Sequence, residues 1–355
     1  MARIIVLQAC RHGVGCSHLV ANLAVLLMQR GYRVGLLDTD LRGGGIRTIF
    51  SLDDTPEGNL NTYWWLSSNA DTATNLNRSL RQYSVASEST TAGIYLPPVG
   101  GQFTTAGPQL KTWQEHYHQG QVREVLQHLS QDLKLDYLLI DNQPEMSEDT
   151  LMALSLADMA VLMLQLDSYD FQRVPVLLEV IKQFETPKTW LVPTLVLPAI
   201  ERDSVKHKIE NTYQQPIAGL LYLSEEMIRL ASSGLFCLHY PIHPLTQTMM
   251  EIARQLEHGA KELASVPARF SEKSSMGRSR QRPLLNLLEF PHVERRLLTV
   301  VLRQGPIEIG PLIEQSGHSA DEVITAVNHL IQQGWIVRDP TTQRVRYRTE
   351  TSNRQ

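Results

Sequence analysis

Cysteine is scarce in this 355-residue chain. Cys10, Cys16 and Cys237 are its three thiols, and their spacing forms no metal-ligand pattern. That excludes a disulfide scaffold and a thiolate-built metal centre, and makes a reducing interior the expected compartment. Apolar residues are 42% of the sequence, yet no run approaches the roughly 20 residues needed to cross a bilayer. No secretory leader is legible either, so the expectation is a cytoplasmic protein without integral membrane association. Aromatic residues are 6%, and their one cluster, around Tyr63, Trp64 and Trp65, reads as the buried face of a short helix rather than a platform for bases. The net charge of −4 gives no bulk attraction for nucleic acid. His116, His118, His239, His243 and His258 show no ligand spacing. No Ser/His/Asp or Cys/His arrangement is recognisable.

What is present is an alternation of strand and helix signals over residues 1–265, which predicts a mostly parallel sheet with helices on both faces. Strands are expected at 3–9, 33–40, 94–97, 136–141, 160–165, 188–197 and 217–222, with helices at 19–30 and 173–184. Residues 71–91, rich in Ser, Thr, Asn and Ala, read as an insertion or mobile loop. Residues 266–284 hold five basic side chains among serines and read as a flexible linker. Beyond it, residues 285–350 predict three helices and two short strands. The third helix opens with Ser319 and Glu322 in capping-box spacing.

The chemistry concentrates in residues 10–18, Cys-Arg-His-Gly-Val-Gly-Cys-Ser-His, between the first strand and the first helix. A glycine-rich turn entering a helix points successive backbone N–H groups at an anion without help from any side chain. Gly13, Val14, Gly15 and Ser17 are placed for that role, and the Ser17 hydroxyl would face Mg²⁺. A lysine before that serine is what such loops normally use to reach the β- and γ-phosphates. Here that position is Cys16. Two further strands end in carboxylates, Asp38 and Asp40 on one, Asp141 on the other.

Together with Asn22-Leu23-Ala24, Phe50 and residues 225–234, these segments resemble the MinD/ParA group of P-loop ATPases over residues 1–262. The resemblance implies an α/β P-loop NTPase domain of the SIMIBI type, with ATP and Mg²⁺ as cofactors and a homodimer joined at the switch face. By position it puts Gly13, Val14, Gly15, Cys16, Ser17 and His18 around the nucleotide, and Ser17, Asp38 and Asp141 near the metal. Asp40 falls on the aspartate that positions the attacking water. Arg11 falls on the lysine that reaches across the dimer. Three positions depart from the family pattern: Cys16 replaces the phosphate lysine, His12 a loop glycine, and Thr194 the base-reading asparagine. Losing a charged stabiliser of phosphoryl transfer costs on the order of 10³ to 10⁵ in rate for an arginine finger, so weak or no hydrolysis is expected.

Residues 285–350 resemble a winged helix, a fold that often docks its third helix in the DNA major groove. That helix here carries Asp321 and Glu322 and hardly any positive charge, whereas the wing has Arg338, Arg344, Arg346 and Arg348. DNA contact through the basic wing and linker, and protein docking, both stay open. The function implied is a nucleotide-binding switch acting on a protein partner in partitioning, positioning or regulation. A pseudo-ATPase scaffold and a DNA-binding regulator are the alternatives.

Overall fold

The computed structural model describes residues 2–39, 45–51, 81–83, 92–96, 130–144, 148–184, 188–263, 291–304, 306–340 and 344–347, with single residues at 126, 146, 186 and 342. The expectations for Asp40, for the aromatics near Trp64 and for the linker at 266–284 lie outside the described residues.

Seven strands form one sheet: β1 (Arg3–Ala9), β2 (Arg33–Asp38), β3 (Arg81–Tyr83), β4 (Gly93–Leu96), β5 (Tyr137–Asp141), β6 (Met159–Leu164) and β7 (Lys188–Pro193). Their order is β3-β4-β2-β5-β1-β6-β7, and every pairing is parallel except that of β3 with β4. β3 lies inside the stretch expected to be an insertion or mobile loop, which is a correction. Its Arg81-Gln82-Tyr83 has no apolar alternation and is a strand because it pairs with the edge of β4. The expected strand at 217–222 forms only single bridges, Ile217 to Leu191 and Tyr222 to Val196. β7 stops at Pro193, four residues short of the expected end.

The central strands are apolar along their whole length because both faces are covered. In β1, Ile4 and Val6 face one core while Ile5, Leu7 and Ala9 face the other, and β6 divides in the same way. One face is covered by α1 (Cys16–Gln29), with α2 (Gly45–Ile49), and by the 20-residue helix that ends the domain. On the other face lie α3 (Glu148–Leu156), α4 (Ser168–Gln183) and α5 (Arg202–Tyr213). Two short helices, α6 (Glu225–Leu230) and α7 (Phe236–His239), lead into that last helix, α8 (Pro244–Leu263).

α4 begins five residues earlier than expected. Asp167 caps it by accepting from the Asp170 N–H at 3.0 Å, and Pro175 is carried inside it. The buried face of Val174, Leu177, Val180 and Ile181, together with the cap, carries the helix through the proline.

Three more helices, α9 (His292–Gln304), α10 (Ile309–Ser316) and α11 (Ala320–Gln332), precede an antiparallel hairpin of β8 (Ile336–Arg338) and β9 (Val345–Tyr347). Ile307 and Val345 exchange both backbone hydrogen bonds, at 3.0 and 2.8 Å, which adds a short third strand to the hairpin. α11 opens on the capping box of Ser319 and Glu322 expected from the sequence.

Candidate functional site

The loop after β1 sits where the chain order reverses: β1 has β5 on one side and β6 on the other. In open α/β sheets a crevice forms at the strand carboxyl ends of such a point. Gly13 and Gly15 hold it open with φ of 80° and 88°, a left-handed backbone that side-chain-bearing residues rarely adopt. Gly15 is also the N-cap of α1, and no side chain caps the helix there. Its first turn holds no acidic residue. The first N–H groups of α1 and the positive end of its dipole therefore face a cavity of about 250 Å³.

Around that cavity the strand ends bring together most of the residues expected from the sequence. Arg11, His12, Gly13, Val14, Gly15, Cys16, Ser17, His18 and Asp141 all line it. Asp38 lies next to Asp141 across the parallel pairing of β2 with β5, and both are buried. The Ser17 hydroxyl is overlain by the start of α2, where a Cβ on Gly45 would lie 2.5 Å from Ser17 Oγ. A serine hydroxyl with two buried carboxylates is a hard-oxygen donor set of the kind that suits Mg²⁺. With the glycine cradle, the residues present fit a magnesium–polyphosphate ligand.

Among the described residues, no lysine lines the cavity. The Cys16 thiol opens partly onto it but is packed round by protein and hydrogen-bonds Asp141. Burial first, and then the charges of Asp141 and Asp38, push its pKa well above the ordinary thiol value. Cys16 is therefore a neutral donor to Asp141 and not a nucleophilic thiolate. Burial also pushes the His18 imidazole down, and His18 Nε2 contacts Ser232 Oγ at 2.9 Å.

The Arg11 guanidinium is engaged by residues at the start of α4. It donates to Gln165 Oε1 at 2.6 Å, pairs with Asp167 and lies 3.5 Å from Asp170 Oδ1. Those contacts lock the loop to the N-terminus of α4. The Asp167 carboxyl is held below its usual range by the Asp170 N–H and then by Arg11. Burial raises the Asp170 carboxyl instead.

Several residues that hold the site are not evident from the loop motif. The Thr194 hydroxyl donates to the Val14 carbonyl at 3.0 Å. Behind the cradle, Asn142 Nδ2 donates to Gln8 Oε1 at 2.6 Å, Thr39 Oγ1 donates to Asn142 Oδ1 at 3.0 Å, and Gln8 Nε2 donates to the Gln143 carbonyl at 3.0 Å. These buried amides tie the ends of β1, β2 and β5 together. Polar residues in otherwise apolar strands, such as Gln8 in Arg3–Ala9, were the available signal.

A larger groove of about 990 Å³ between α4 and α5 contains no residue of the loop. The site is assigned by its convergent backbone donors and carboxylates, which outweigh volume.

The relatives of the chain agree with this geometry. A family model described as an AAA domain matches residues 2–191, more than half of the chain. The cytosolic Fe-S cluster assembly factor CFD1 of Chaetomium globosum is 33% identical over 148 residues, which are 41% of this chain and 43% of that protein. This chain thus spans under half the length of that relative. An uncharacterised ATP-binding protein of Methanocaldococcus jannaschii is 25% identical over 257 residues, 72% of this chain and 88% of that one. Among solved structures, the cell-division ATPase MinD of Pyrococcus furiosus superposes with a TM-score of 0.55 at 17% identity, covering 73% of this chain and 99% of that one. MinD of Pyrococcus horikoshii, solved with Mg-ADP, gives 0.55 at 18% identity, covering 76% and 100%. With a matching family model over more than half of its length, the chain belongs to that AAA-domain family, and its fold, with a phosphate-type loop at the switch point of the sheet, is that of the MinD/ParA P-loop ATPases.

Proposed function

We propose that the chain is a nucleotide-binding switch that holds ATP with Mg²⁺ and turns it over weakly or not at all. The observation that carries this reading is the uncapped N-terminus of α1, cradled by two left-handed glycines, beside a cavity whose lysine position holds a neutral thiol. In this reading the N–H groups of residues 13–17 bind the phosphates, and Ser17, Asp38 and Asp141 hold the metal, directly or through water. The metal, when bound, supplies the positive charge that Cys16 does not. Arg11, engaged by Asp167 and Asp170, fixes the loop against α4, and no lysine among the described residues lines the cavity. That favours binding over turnover.

The output of the switch is a protein contact, made as a homodimer through the switch face and through residues 285–350 read as a winged helix. The reading does not extend to partitioning, because two relatives carry other names. The Chaetomium protein is a cytosolic Fe-S cluster assembly factor, and a protein of Aquifex aeolicus, 51% identical over 49 residues, is an iron-sulfur cluster carrier. A cluster bound directly by this chain is not part of the proposal. Two of its three cysteines are buried, and among the described residues no group of three His, Cys, Asp or Glu side chains could hold a metal ion. Regulation of a partner is the role retained.

Equilibrium binding of ATP with Mg²⁺, measured beside phosphate release on the same sample, tests the proposal. Saturable binding with little or no turnover is expected. Rapid turnover would overturn the weak-hydrolysis reading, and absence of binding at millimolar nucleotide would leave the scaffold alternative.

A further inference from the structure

The face between α9 and α11 holds a carboxylate that is buried and half satisfied. Glu294, on α9, is 6% exposed. Its Oε1 meets His329 Nδ1 at 2.6 Å, while its Oε2 is buried without a hydrogen-bond partner among the described residues. The direction of that hydrogen bond follows from its neighbours. The Trp335 indole can only donate, and it donates to Gln333 Oε1 at 3.2 Å. That fixes the Gln333 amide so that its Nε2 donates to His329 Nε2 at 2.8 Å. His329 Nε2 is then the acceptor, and Nδ1 carries the proton given to Glu294.

Glu294 lines an open groove of about 760 Å³ together with Asp321 and Glu322. Among the described residues no lysine or arginine lines it, and Pro291, Val293 and Ala326 add apolar surface. Three carboxylates repel a phosphate backbone on the helix where a DNA-reading winged helix would approach its groove. They suit a cation, and the empty lone pairs of Oε2 ask for a donor. A guanidinium offers a planar fork of N–H groups to carboxylates, and its methylene stem lies well against apolar walls.

We propose that this groove docks an arginine-bearing segment of a partner protein, with Glu294 Oε2 receiving the guanidinium and Asp321 and Glu322 supplying the surrounding field. The proposal does not depend on nucleotide binding, which is read at the other site on the same sample.

The test is calorimetric titration of the full chain with a capped pentapeptide carrying one arginine between leucines, beside the same peptide with citrulline. The arginine peptide is expected to bind and to weaken as salt rises, and the citrulline peptide to bind at least about tenfold more weakly. Glu294→Gln, near-isosteric and checked for an unchanged thermal midpoint, should weaken the arginine peptide by about tenfold or more. Asp321→Asn, at the exposed rim, should weaken it by about twofold to threefold and guards against a folding defect at Glu294. Equal affinity for citrulline, or no effect of either substitution, would overturn the proposal. So would arginine-peptide binding that appears only after Arg278, Arg280 and Arg282 are replaced by glutamine, because the groove would then belong to the chain's own linker. Tight binding of duplex DNA that is lost in Asn328→Ala would also overturn it.

Discussion

The hydroxyl of Thr194, just beyond the end of β7, donates to the backbone carbonyl of Val14 at the tip of the glycine loop, 3.0 Å away and 180 residues earlier in the chain. Thr194 is 4% exposed, so this bond is shielded from water and fixes the loop from below. It occupies the hydroxyl that would otherwise be free to meet a base, and makes Thr194 a positioning residue for the cradle. Thr194→Val keeps the shape and removes the donor. The expected loss is about 1 kcal/mol of stability, with nucleotide affinity reduced by about fivefold and a similar reduction for ATP and GTP. Unchanged affinity in a folded variant would show that the loop holds its shape without the bond.

Gly259 lets α8 approach the sheet. A Cβ there would lie 2.3 Å from Trp190 Cη2 and 2.9 Å from Cζ2. Alanine favours a helix by about 1 kcal/mol over glycine, yet overpacking a core costs about 1–3 kcal/mol. Gly259→Ala is therefore expected to lower the urea midpoint. A midpoint that rises would mean that the Trp190 ring swings aside at no cost.

Stability is expected to fall in alkali. Burial pushes the thiols of Cys10 and Cys237 up from the ordinary 9.0 to about 12. Between those values the unfolded chain has lost the thiol protons and the folded chain keeps them. Folding is then disfavoured as pH rises from about 9 to about 12, and the full contribution is present only below that window. Tyr137, pushed up by burial, acts in the same direction. Urea melts from pH 8 to 11 should show the decline, and the Cys10→Ala, Cys237→Ala double variant should show a shallower one. Identical slopes would remove the thiols as the cause.

Restoring the lysine tests the charge argument. Cys16→Lys places a cation beside Asp141 and Asp38, where the thiol now donates to Asp141. Nucleotide affinity is expected to rise by about tenfold or more, since hydrogen bonds to charged groups contribute roughly 1.5–3 kcal/mol. No change in affinity would place the defect elsewhere in the site, at His12 or Thr194.

Much of the site was legible because its signals are local. Glycines before a helix, β-branched runs and carboxylates at strand ends each announce themselves within a few residues. Gly13, Gly15, Ser17, Asp38 and Asp141 converge for that reason. Contacts made at long range were not legible. The partners of Arg11 stand more than 150 residues away, and no local pattern distinguishes a free arginine from one held by Asp167. Likewise β3 has no apolar alternation of its own and exists through its pairing with β4. The start of α4 was missed because Asp167 reads equally as the end of a strand or as a cap, and Pro175 weakened the helical signal upstream.

The central claim is that the backbone cradle and the carboxylates bind nucleotide without the lysine. Calorimetric titration of the purified chain with ATP, with and without Mg²⁺, tests it most directly. Saturable binding that strengthens by about tenfold or more with Mg²⁺ is the expected result, because the metal must supply the positive charge that Cys16 cannot. No heat of binding up to millimolar ATP in the presence of Mg²⁺ would contradict the account and leave the fold as a protein scaffold.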